Sequence, residues 1–338
     1  MPNEIRKDYI LDKWVIIATE RIKRPSDFKT EPHQVDNFMD CPFCAGNEEK
    51  TPPATMLYIP TGKKILIDCD KKDQRRKNNW LIRVVPNLYP ALKPSNTLLI
   101  SENDLIYMNG VGIHEVIIET PNHQEQLHLM PDEQIKLVFR AYKDRFSAVS
   151  SKENIRFVSI FRNYGMKAGT SLSHPHSQLI AIPIVPPIIN EEIKRLNYLN
   201  GKCAYDKIIE KEKNSERFIY ENDSVVAFCP FASITPFEVW IFVKRHVNNI
   251  VELTDKERDD FAIATRDILA AIFKILQDIP YNYAFWQTID EKEYHMHMRI
   301  FPRLTIYAGF EYNTNIFVNP VPPEYAAKTL REALKSKV

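Results

Sequence analysis

Ser173-His174-Pro175-His176-Ser177-Gln178 lies between two apolar runs, Phe157–Phe161 before it and Leu179–Ile182 after it. The apolar runs predict two strands, so the hexapeptide lies where a loop enters a sheet. Residues two apart in a strand point to the same face, so the two histidines and the glutamine are predicted to face one side together. An imidazole pair beside an amide suits either metal binding or nucleophilic attack.

The loop between the two predicted strands, residues 163–171, is made of small and hydrogen-bonding residues. It contains Gly165 and Gly169, although the chain has only eight glycines in 338 residues. Glycine permits positive φ and close backbone approach, as a phosphate-binding nest requires. The loop therefore predicts an anion site. Its hydrogen-bonding side chains include Asn163, Thr170 and Ser171.

Composition excludes several classes of partner. Forty-five basic and forty-four acidic side chains leave no overall field that would attract nucleic acid or an anionic membrane. The first residues lack an apolar signal core, and no apolar run reaches membrane-spanning length, so we expect a cytoplasmic protein. Five cysteines, an odd number in a long chain, do not suggest a secreted disulfide framework. Reduced thiols are then available to a metal.

Cys41-Pro42-Phe43-Cys44 is a Cys-x-x-Cys knuckle, whose two thiolates can bind one tetrahedral zinc. A redox pair is the alternative. Phe43 between the cysteines, the lack of a following βαβ pattern and the presence of histidines downstream favour structural zinc. His114 and His123 are both candidates to complete the site.

The second half of the chain repeats the first. The Glu-Val pair at Glu115 precedes His123 by eight residues, and the pair at Glu238 precedes His246 by the same distance. Each histidine is followed by an acidic helix start and apolar residues at helical spacing. The repeat predicts two domains, residues 1–190 and 195–338, each with an antiparallel sheet backed by a helix. The helix-core residues it predicts are Ile135, Val138, Tyr142 and Phe146 in the first half, and Phe261, Thr265, Ile268, Ile272 and Leu276 in the second.

The repeat also selects metal ligands. Only His123 has a counterpart in the second half, so we interpret His114 as a strand histidine with its hydrogen bonds satisfied. The first predicted set is Cys41, Cys44, His123 and His174. By the same register the second set is Cys203, Asp206, His246 and His295, with His297 as a reserve ligand. The segment before His295 has three carboxylates and no glycine, which would repel phosphate, so only the first half is predicted to be catalytic.

The pattern Phe161-x-Asn163-x-Gly165-x-x-x-Gly169-x-Ser171-x-x-His174-Pro175-His176-x-Gln178 resembles the galactose-1-phosphate uridylyltransferase branch of the histidine-triad superfamily. The resemblance extends over nearly the whole chain. It implies an α+β fold, a duplicated histidine-triad-like unit with two antiparallel sheets and packed helices, and a homodimer. It also implies zinc at the first metal set, whereas zinc, iron and no metal remain alternatives at the second.

The resemblance further implies a mechanism. His176 would attack the α-phosphorus of a nucleotide sugar and carry the nucleotide to a second phosphate nucleophile. Ser171 and the amides near Gly169 would stabilise the phosphoryl oxygens, and Gln178 would hydrogen-bond the intermediate. By the same resemblance, Arg21 and Arg24 approach the phosphates, Asn87 and Tyr89 the nucleoside, and Phe310 and Glu311 the hexose. Without the resemblance, a solvated turn and a phosphate-binding site are equally good interpretations of the two arginines.

Three functions remain open on the sequence. The first is a uridylyltransferase acting between UDP-glucose and a hexose 1-phosphate such as galactose 1-phosphate. The second is an adenylyltransferase or phosphorylase that uses phosphate on ADP-glucose or a related donor. Ser173, Ser177 and Asn315–Pro320 look closer to the branch that includes plant ADP-glucose phosphorylase. The third is a zinc-stabilised binding module without catalysis, which the intact loop and histidine pair disfavour.

Overall fold

The computed structural model describes residues 2–21, 24–28, 39–102, 105–196 and 203–336. No helix in these ranges is both long and apolar enough to cross a membrane. The strands are β1 (Glu4–Lys7), β2 (Trp14–Ile17), β3 (Met56–Thr61), β4 (Lys64–Asp68), β5 (Ile82–Pro86), β6 (Ile100–Glu102), β7 (Ile106–Met108), β8 (Ile113–Ile118), β9 (Phe157–Tyr164), β10 (His176–Ile182), β11 (Phe218–Glu221), β12 (Val225–Phe228), β13 (Val239–Val243), β14 (Tyr281–Trp286), β15 (His297–Pro302) and β16 (Phe317–Asn319). The α-helices are α1 (Asp132–Ser150), α2 (Pro187–Arg195), α3 (Ala204–Lys213), α4 (Asp255–Leu276), α5 (Gly309–Thr314) and α6 (Pro323–Lys335).

The chain divides into two compact units. One, which we name the amino unit, contains Val35–Arg162 and Leu172–Pro186. The other, the carboxyl unit, contains Met1–Gln34, Asn163–Ser171 and Pro187–Val338.

In the amino unit, antiparallel strands follow the order β9-β10-β8-β5-β3-β4. Helix α1 begins with two acidic residues, which interact favourably with the positive end of the helix dipole. Its predicted core residues are all buried: Ile135, Val138, Tyr142 and Phe146. The helical periodicity of the sequence therefore identified the face that α1 packs inward.

In the carboxyl unit, antiparallel strands follow the order β11-β12-β13-β15-β14. A smaller sheet of β1, β2 and β16 belongs to the same unit, with β16 parallel to β2. A capping box begins α4, with Thr254 and Glu257 exchanging hydrogen bonds. The predicted core residues of α4 are all buried: Phe261, Thr265, Ile268, Ile272 and Leu276.

The two units repeat one motif. In the amino unit β8 leads through α1 into the β9–β10 hairpin, and β10 pairs with both β9 and β8. In the carboxyl unit β13 leads through α4 into the β14–β15 hairpin, and β15 pairs with both β14 and β13. This arrangement confirms the prediction of a duplicated α+β fold with antiparallel sheets and packed helices.

The Cys-x-x-Cys knuckle packs on one face of the amino-unit sheet. Phe43 shares a buried cluster with Trp80 and with Val116 and Ile118 of β8. The Trp80 indole N–H donates to the buried Glu48 carboxylate at 2.9 Å, which satisfies both polar groups. The knuckle is thereby fixed on the sheet face that also carries His176.

Candidate active site

Strand β10 presents the predicted catalytic side chains. In its antiparallel pairing with β8, His176 lies opposite Ile118 and Gln178 opposite Val116. Because side chains alternate along a strand, His176 and Gln178 share one face. The His176 ring also meets the Phe43 ring edge-on, with centroids 5.2 Å apart.

The hydrogen bonds of His176 fix its tautomer. Its Nδ1 lies 2.7 Å from the carbonyl oxygen of His174. A carbonyl only accepts, so Nδ1 carries the proton and donates it. Burial lowers the pKa of His176, more than the bond to His174 raises it, so the ring is neutral at physiological pH. The lone pair of Nε2 is then available to attack an electrophile.

A buried polar network lies on the opposite face of the same strand. Glu119 accepts from the Arg162 Nε at 3.0 Å, and both side chains are almost fully buried. The Ser177 hydroxyl and the Tyr142 hydroxyl both donate to the same Glu119 carboxylate. This network ties α1 to β8, β9 and β10, and it holds the backbone that carries His176.

Gln178 is held by His114, which the sequence analysis interprets as a strand histidine with its hydrogen bonds satisfied. The Gln178 Oε1 lies 2.8 Å from the Nε2 of His114. The His114 Nδ1 accepts from the backbone N–H of Ala91 at 3.1 Å, and its Nε2 also lies 3.1 Å from the Asn87 amide nitrogen. Strand alternation could have revealed the link, since His114 lies two residues before Val116, which opposes Gln178.

The first predicted metal set converges in the amino unit. The ligand atoms of Cys41, Cys44, His123 and His174 lie within 4.8 Å of one another. The Cys44 Sγ lies 3.3 and 3.5 Å from the two histidine Nδ1 atoms, which are 3.3 Å apart. A tetrahedral zinc requires about 3.3 Å between two nitrogens and roughly 3.5 Å between sulfur and nitrogen. The geometry therefore fits a metal.

Hydrogen bonds outside this cluster direct its nitrogens inward. The His174 Nε2 donates to the Thr120 carbonyl at 2.8 Å, so its Nδ1 keeps a lone pair. The His123 Nε2 contacts the Ser173 hydroxyl at 2.9 Å. Burial, followed by the effect of Cys41, raises the pKa of Cys44 to about 12, so the thiol stays protonated unless a cation compensates the thiolate.

The second predicted set also converges, in the carboxyl unit. The ligand atoms of Cys203, Asp206, His246 and His295 satisfy the same distance limit. Asp206 Oδ1 lies 3.0 Å from the His295 Nδ1 and 3.4 Å from the His246 Nδ1. Bonds to Asp206, then to Cys203, raise the pKa of His246 to about 10. Burial alone would raise the pKa of Asp206, but the two histidines lower it.

The predicted phosphate loop contains two glycines with positive φ. Gly165 and Gly169 adopt φ of 81° and 90°, values at which a side chain is strained. A Cβ on Gly165 would also come within 2.8 Å of Pro280. The Asn282 side-chain amide donates to Asn163 Oδ1 and to the Ala168 carbonyl, both at 2.8 Å, which holds the loop inside the carboxyl unit. Thr170 is buried and Ser171 exposed.

The remaining predicted binding residues are mainly accessible. Tyr89 is 86% exposed and Phe310 46% exposed. Glu311 caps its own helix α5, accepting from the Ala308 N–H at 2.9 Å. Arg24 is exposed before a 3-10 turn, and the side chain of Arg21 lies outside the described residues.

The counterpart of His176 in the second half is His297, and its surroundings differ. Its Nδ1 donates to the His295 carbonyl at 2.9 Å, but its Nε2 accepts from the Arg299 Nε at 2.9 Å. Arg299 lies between the rings of Trp240 and Trp286, 4.0 and 3.5 Å from their centroids. His297 is therefore not directed into the second metal cluster, which corrects its interpretation as a reserve ligand.

The chain is similar to known proteins along almost its whole length. A family model described as a domain of unknown function, DUF4921, matches residues 123–337. ADP-glucose phosphorylase from Arabidopsis thaliana is 34% identical, over 97% of this chain and 92% of the relative. Galactose-1-phosphate uridylyltransferase from Thermotoga maritima is 29% identical, over 97% of this chain and 98% of the relative.

Solved structures show the same relationship in three dimensions. A crystal structure of Arabidopsis ADP-glucose phosphorylase with bound ADP-glucose covers 98% of this chain, and is itself 99% covered, with a TM-score of 0.78 and 32% identity. A uridylyltransferase structure aligns with a TM-score of 0.73 and 27% identity, over 98% of this chain and 98% of that structure's chain. These relatives define the chain as an enzyme of the nucleotidyltransferase class. Within that class, the chain belongs to the galactose-1-phosphate uridylyltransferase family, the family predicted from the Phe161–Gln178 pattern.

Proposed function

We propose that the protein transfers a nucleotide from a nucleoside diphosphate sugar to a phosphate nucleophile through a covalent intermediate on His176. The observation that carries the proposal is the 2.7 Å hydrogen bond from the His176 Nδ1 to the His174 carbonyl. It leaves Nε2 unprotonated and oriented, which is the state a nucleophilic imidazole needs.

The reaction has two balanced steps. In the first, the Nε2 lone pair forms a bond to the α-phosphorus, and the bond from that phosphorus to the bridging oxygen breaks. The electron pair leaves with the sugar phosphate, and the ring becomes a cationic nucleotidyl-imidazole. The Nδ1–H bond to the His174 carbonyl stabilises this positive charge. In the second step a phosphate oxygen attacks the phosphorus, the N–P bond breaks and His176 is again neutral.

Other residues bind the substrate in this proposal. Gln178 donates from its amide to the phosphoryl group, and Ser171 with the amides near Gly169 hydrogen-bonds phosphoryl oxygens. The Gly169 and Thr170 N–H groups donate to the carbonyls of Met166 and Gly165, at 2.9 and 3.4 Å, so a phosphoryl oxygen would compete with bonds inside the loop. Arg21, Arg24, Asn163 and Thr170 complete the phosphate contacts, Asn87 and Tyr89 bind the nucleoside, and Phe310 and Glu311 bind the hexose.

The metal in the first cluster is structural in this proposal. Zinc fits the donor set of Cys41, Cys44, His123 and His174, and it would fix the knuckle beside the catalytic strand. The second cluster, with one thiolate, one carboxylate and two imidazoles, suits zinc or iron.

The proposal leaves two alternatives for the transferred nucleotide, uridylyl and adenylyl. The uridylyl form, transfer between UDP-glucose and a hexose 1-phosphate, is supported by the uridylyltransferase of Thermotoga maritima, which aligns along almost its whole length. The adenylyl form, with phosphate as acceptor, is supported by the higher identity to the Arabidopsis ADP-glucose phosphorylase. Both forms use His176 in the same way.

Mass spectrometry of the intermediate tests the function and selects the nucleotide. The protein is incubated with UDP-glucose or ADP-glucose without an acceptor, denatured and digested. We expect an acid-labile uridylyl or adenylyl mass on the peptide containing His176, and exchange of labelled sugar phosphate into the nucleotide sugar. His176→Gly should lose both signals while keeping its metal. Full activity in His176→Gly would contradict the covalent mechanism.

The homodimer implied by the family is part of the proposal. Light scattering on the purified protein should give twice the chain mass of 39.5 kDa. A single-chain mass would contradict it.

A further inference from the structure

We infer that His114 is a positioning residue, which sets the direction of the Gln178 amide in the reaction proposed above. The inference rests on that proposed function for the role of Gln178. The backbone nitrogen of Ala91, which contacts the His114 ring, has an unambiguous hydrogen-bonding role.

The Ala91 N–H can only donate, and it lies 3.1 Å from the Nδ1 of His114. Nδ1 must therefore accept, and a neutral imidazole then carries its single proton on Nε2. This tautomer is the opposite of that of His176, whose proton is held on Nδ1 by the His174 carbonyl. The Asn87 amide nitrogen, 3.1 Å from the same Nε2, cannot donate to a protonated nitrogen.

The Nε2 proton of His114 goes to Gln178. Its Oε1 lies 2.8 Å away, and only the oxygen end of an amide can accept. The amide nitrogen of Gln178 is thereby turned away from His114 and keeps both hydrogens for another acceptor. With His114 in the other tautomer, Gln178 would turn its oxygen outward and repel a phosphoryl group.

His114 also joins Gln178 to the predicted nucleoside segment. Asn87 donates from its backbone to the His114 carbonyl at 2.9 Å, and Ala91 bonds to the ring. The strand pairing of β8 and β10 places His114 opposite Ile180, two residues after Gln178, so both side chains lie on one face. One ring therefore contacts the turn at 87–91 and the amide that faces the phosphoryl group.

Two matched variants of His114 distinguish the roles of its two ring nitrogens. His114→Asn keeps an acceptor near the Nδ1 position, for Ala91, and lacks a donor that reaches Gln178. His114→Gln places an amide N–H near the Nε2 position and lacks the Nδ1 acceptor. We expect His114→Asn to lower kcat by roughly 10- to 100-fold with little change in KM. We expect His114→Gln to keep kcat within about threefold and to raise KM.

A double-mutant cycle distinguishes positioning from a purely structural role. In a Gln178→Ala background the amide is gone, so His114→Asn should cost less than about twofold in kcat. An equal loss in both backgrounds would overturn the inference. Absence of any nucleotide adduct on the native protein would instead overturn the proposed function, so the two failures are distinguishable.

A measurement on the native protein avoids dependence on how the variants fold. In protein labelled with nitrogen-15 at histidine, two-bond correlation spectra assign each tautomer. His114→Gln identifies the His114 signals by their loss. We expect His114 as the Nε2–H form and His176 as the Nδ1–H form. His114 in the Nδ1–H form would refute the inference.

Discussion

Strands β10 and β15 each begin at the second histidine of a His-x-His pair, but only in β10 does that histidine keep an Nε2 without a hydrogen bond among the described residues. In both strands the Nδ1 of the later histidine donates to the carbonyl of the histidine two residues before it. In β10 the next residue on that face is Gln178, which is held by His114. In β15 it is Arg299, whose guanidinium donates to the Nε2 of His297.

Arg299 is well fixed in this arrangement. Its guanidinium donates to the buried Glu192 carboxylate at 2.7 Å and is stacked between two tryptophans. Burial and the positive charge of Arg299 lower the pKa of His297. The duplicated fold therefore supplies a correctly oriented imidazole twice. Whether the Nε2 lone pair of that imidazole is available depends on the residue two positions later, since Arg299 donates to the Nε2 of His297.

The metal clusters provide the largest expected difference between the units. In the first cluster none of the four residues is a carboxylate, and burial, followed by the effect of Cys41, opposes ionisation of the Cys44 thiol without a metal. In the second, Asp206 already bonds to both histidines. We expect Cys41→Ser to remove about one equivalent of zinc and to lower the free energy of unfolding by roughly 4 kcal/mol or more.

Cys203→Ser is the matched variant in the carboxyl unit. It should cost less, because the Asp206 contacts with His246 and His295 remain. Metal content by mass spectrometry and urea unfolding curves for both variants make the comparison. Unchanged zinc in Cys41→Ser would refute the first ligand set, and equal losses of stability would remove the distinction between the clusters.

The next largest effect is expected from exchanging Gln178, the residue that distinguishes β10 from β15. Gln178→Arg gives β10 the arrangement of β15, with a guanidinium two residues after the histidine. We expect it to donate to the His176 Nε2 and to lower kcat by about 10³-fold. The added cation should at the same time lower KM for an anionic nucleotide sugar, because it attracts phosphate.

Gln178→Met is the control for the exchange, because it removes the amide without adding a cation. It should lower kcat by about 10²-fold and should not lower KM. Zinc content should equal that of the native protein in both variants. A Gln178→Arg enzyme with native kcat would show that a guanidinium at this position does not silence the histidine.

Much of this could be predicted from the sequence, because the informative features were local or repeated. Strand alternation placed His176 and Gln178 on one face, and helical periodicity identified the buried side of α1 and α4. The internal repeat chose His123 over His114 as a metal ligand, and the structure brings His123 to the cluster. These inferences needed only the spacing of residues along single elements and the register between the two repeats.

Features that depend on hydrogen-bond direction were not predictable. No sequence pattern indicates that the Ala91 N–H donates to a ring nitrogen of His114, since that contact joins a turn to a strand. The interpretation of His297 as a reserve ligand was wrong for the same reason. Its rotation is determined by Arg299 and by a stacked Phe242 ring 4.4 Å away, and neither contact follows from spacing.

The smallest expected difference concerns another repeated pair, Glu115 and Glu238. Glu115 is bound by Arg145 through two hydrogen bonds of 2.8 and 2.9 Å. Glu238 accepts only from the Trp240 indole and the Ile234 backbone, and within the described residues no cation forms an ion pair with it. Burial raises the pKa of Glu238 from 4.5 to about 7, against the opposing effect of those two hydrogen bonds.

The sign of the resulting pH dependence follows from proton binding. Between pH 4.5 and 7 the folded state holds the Glu238 proton and the unfolded state loses it, so stability falls as the pH rises through that window, by about 3 kcal/mol at most. Glu238→Gln should remove this slope, so its stability relative to the native protein should rise between pH 4.5 and 7.5. Glu115→Gln, which leaves Arg145 unpaired, should instead be destabilised at both pH values. Urea unfolding at pH 4.5 and pH 7.5 measures the stability of both variants and of the native protein. If the stability difference between Glu238→Gln and the native protein is the same at both pH values, Glu238 is ionised in the folded protein throughout this range.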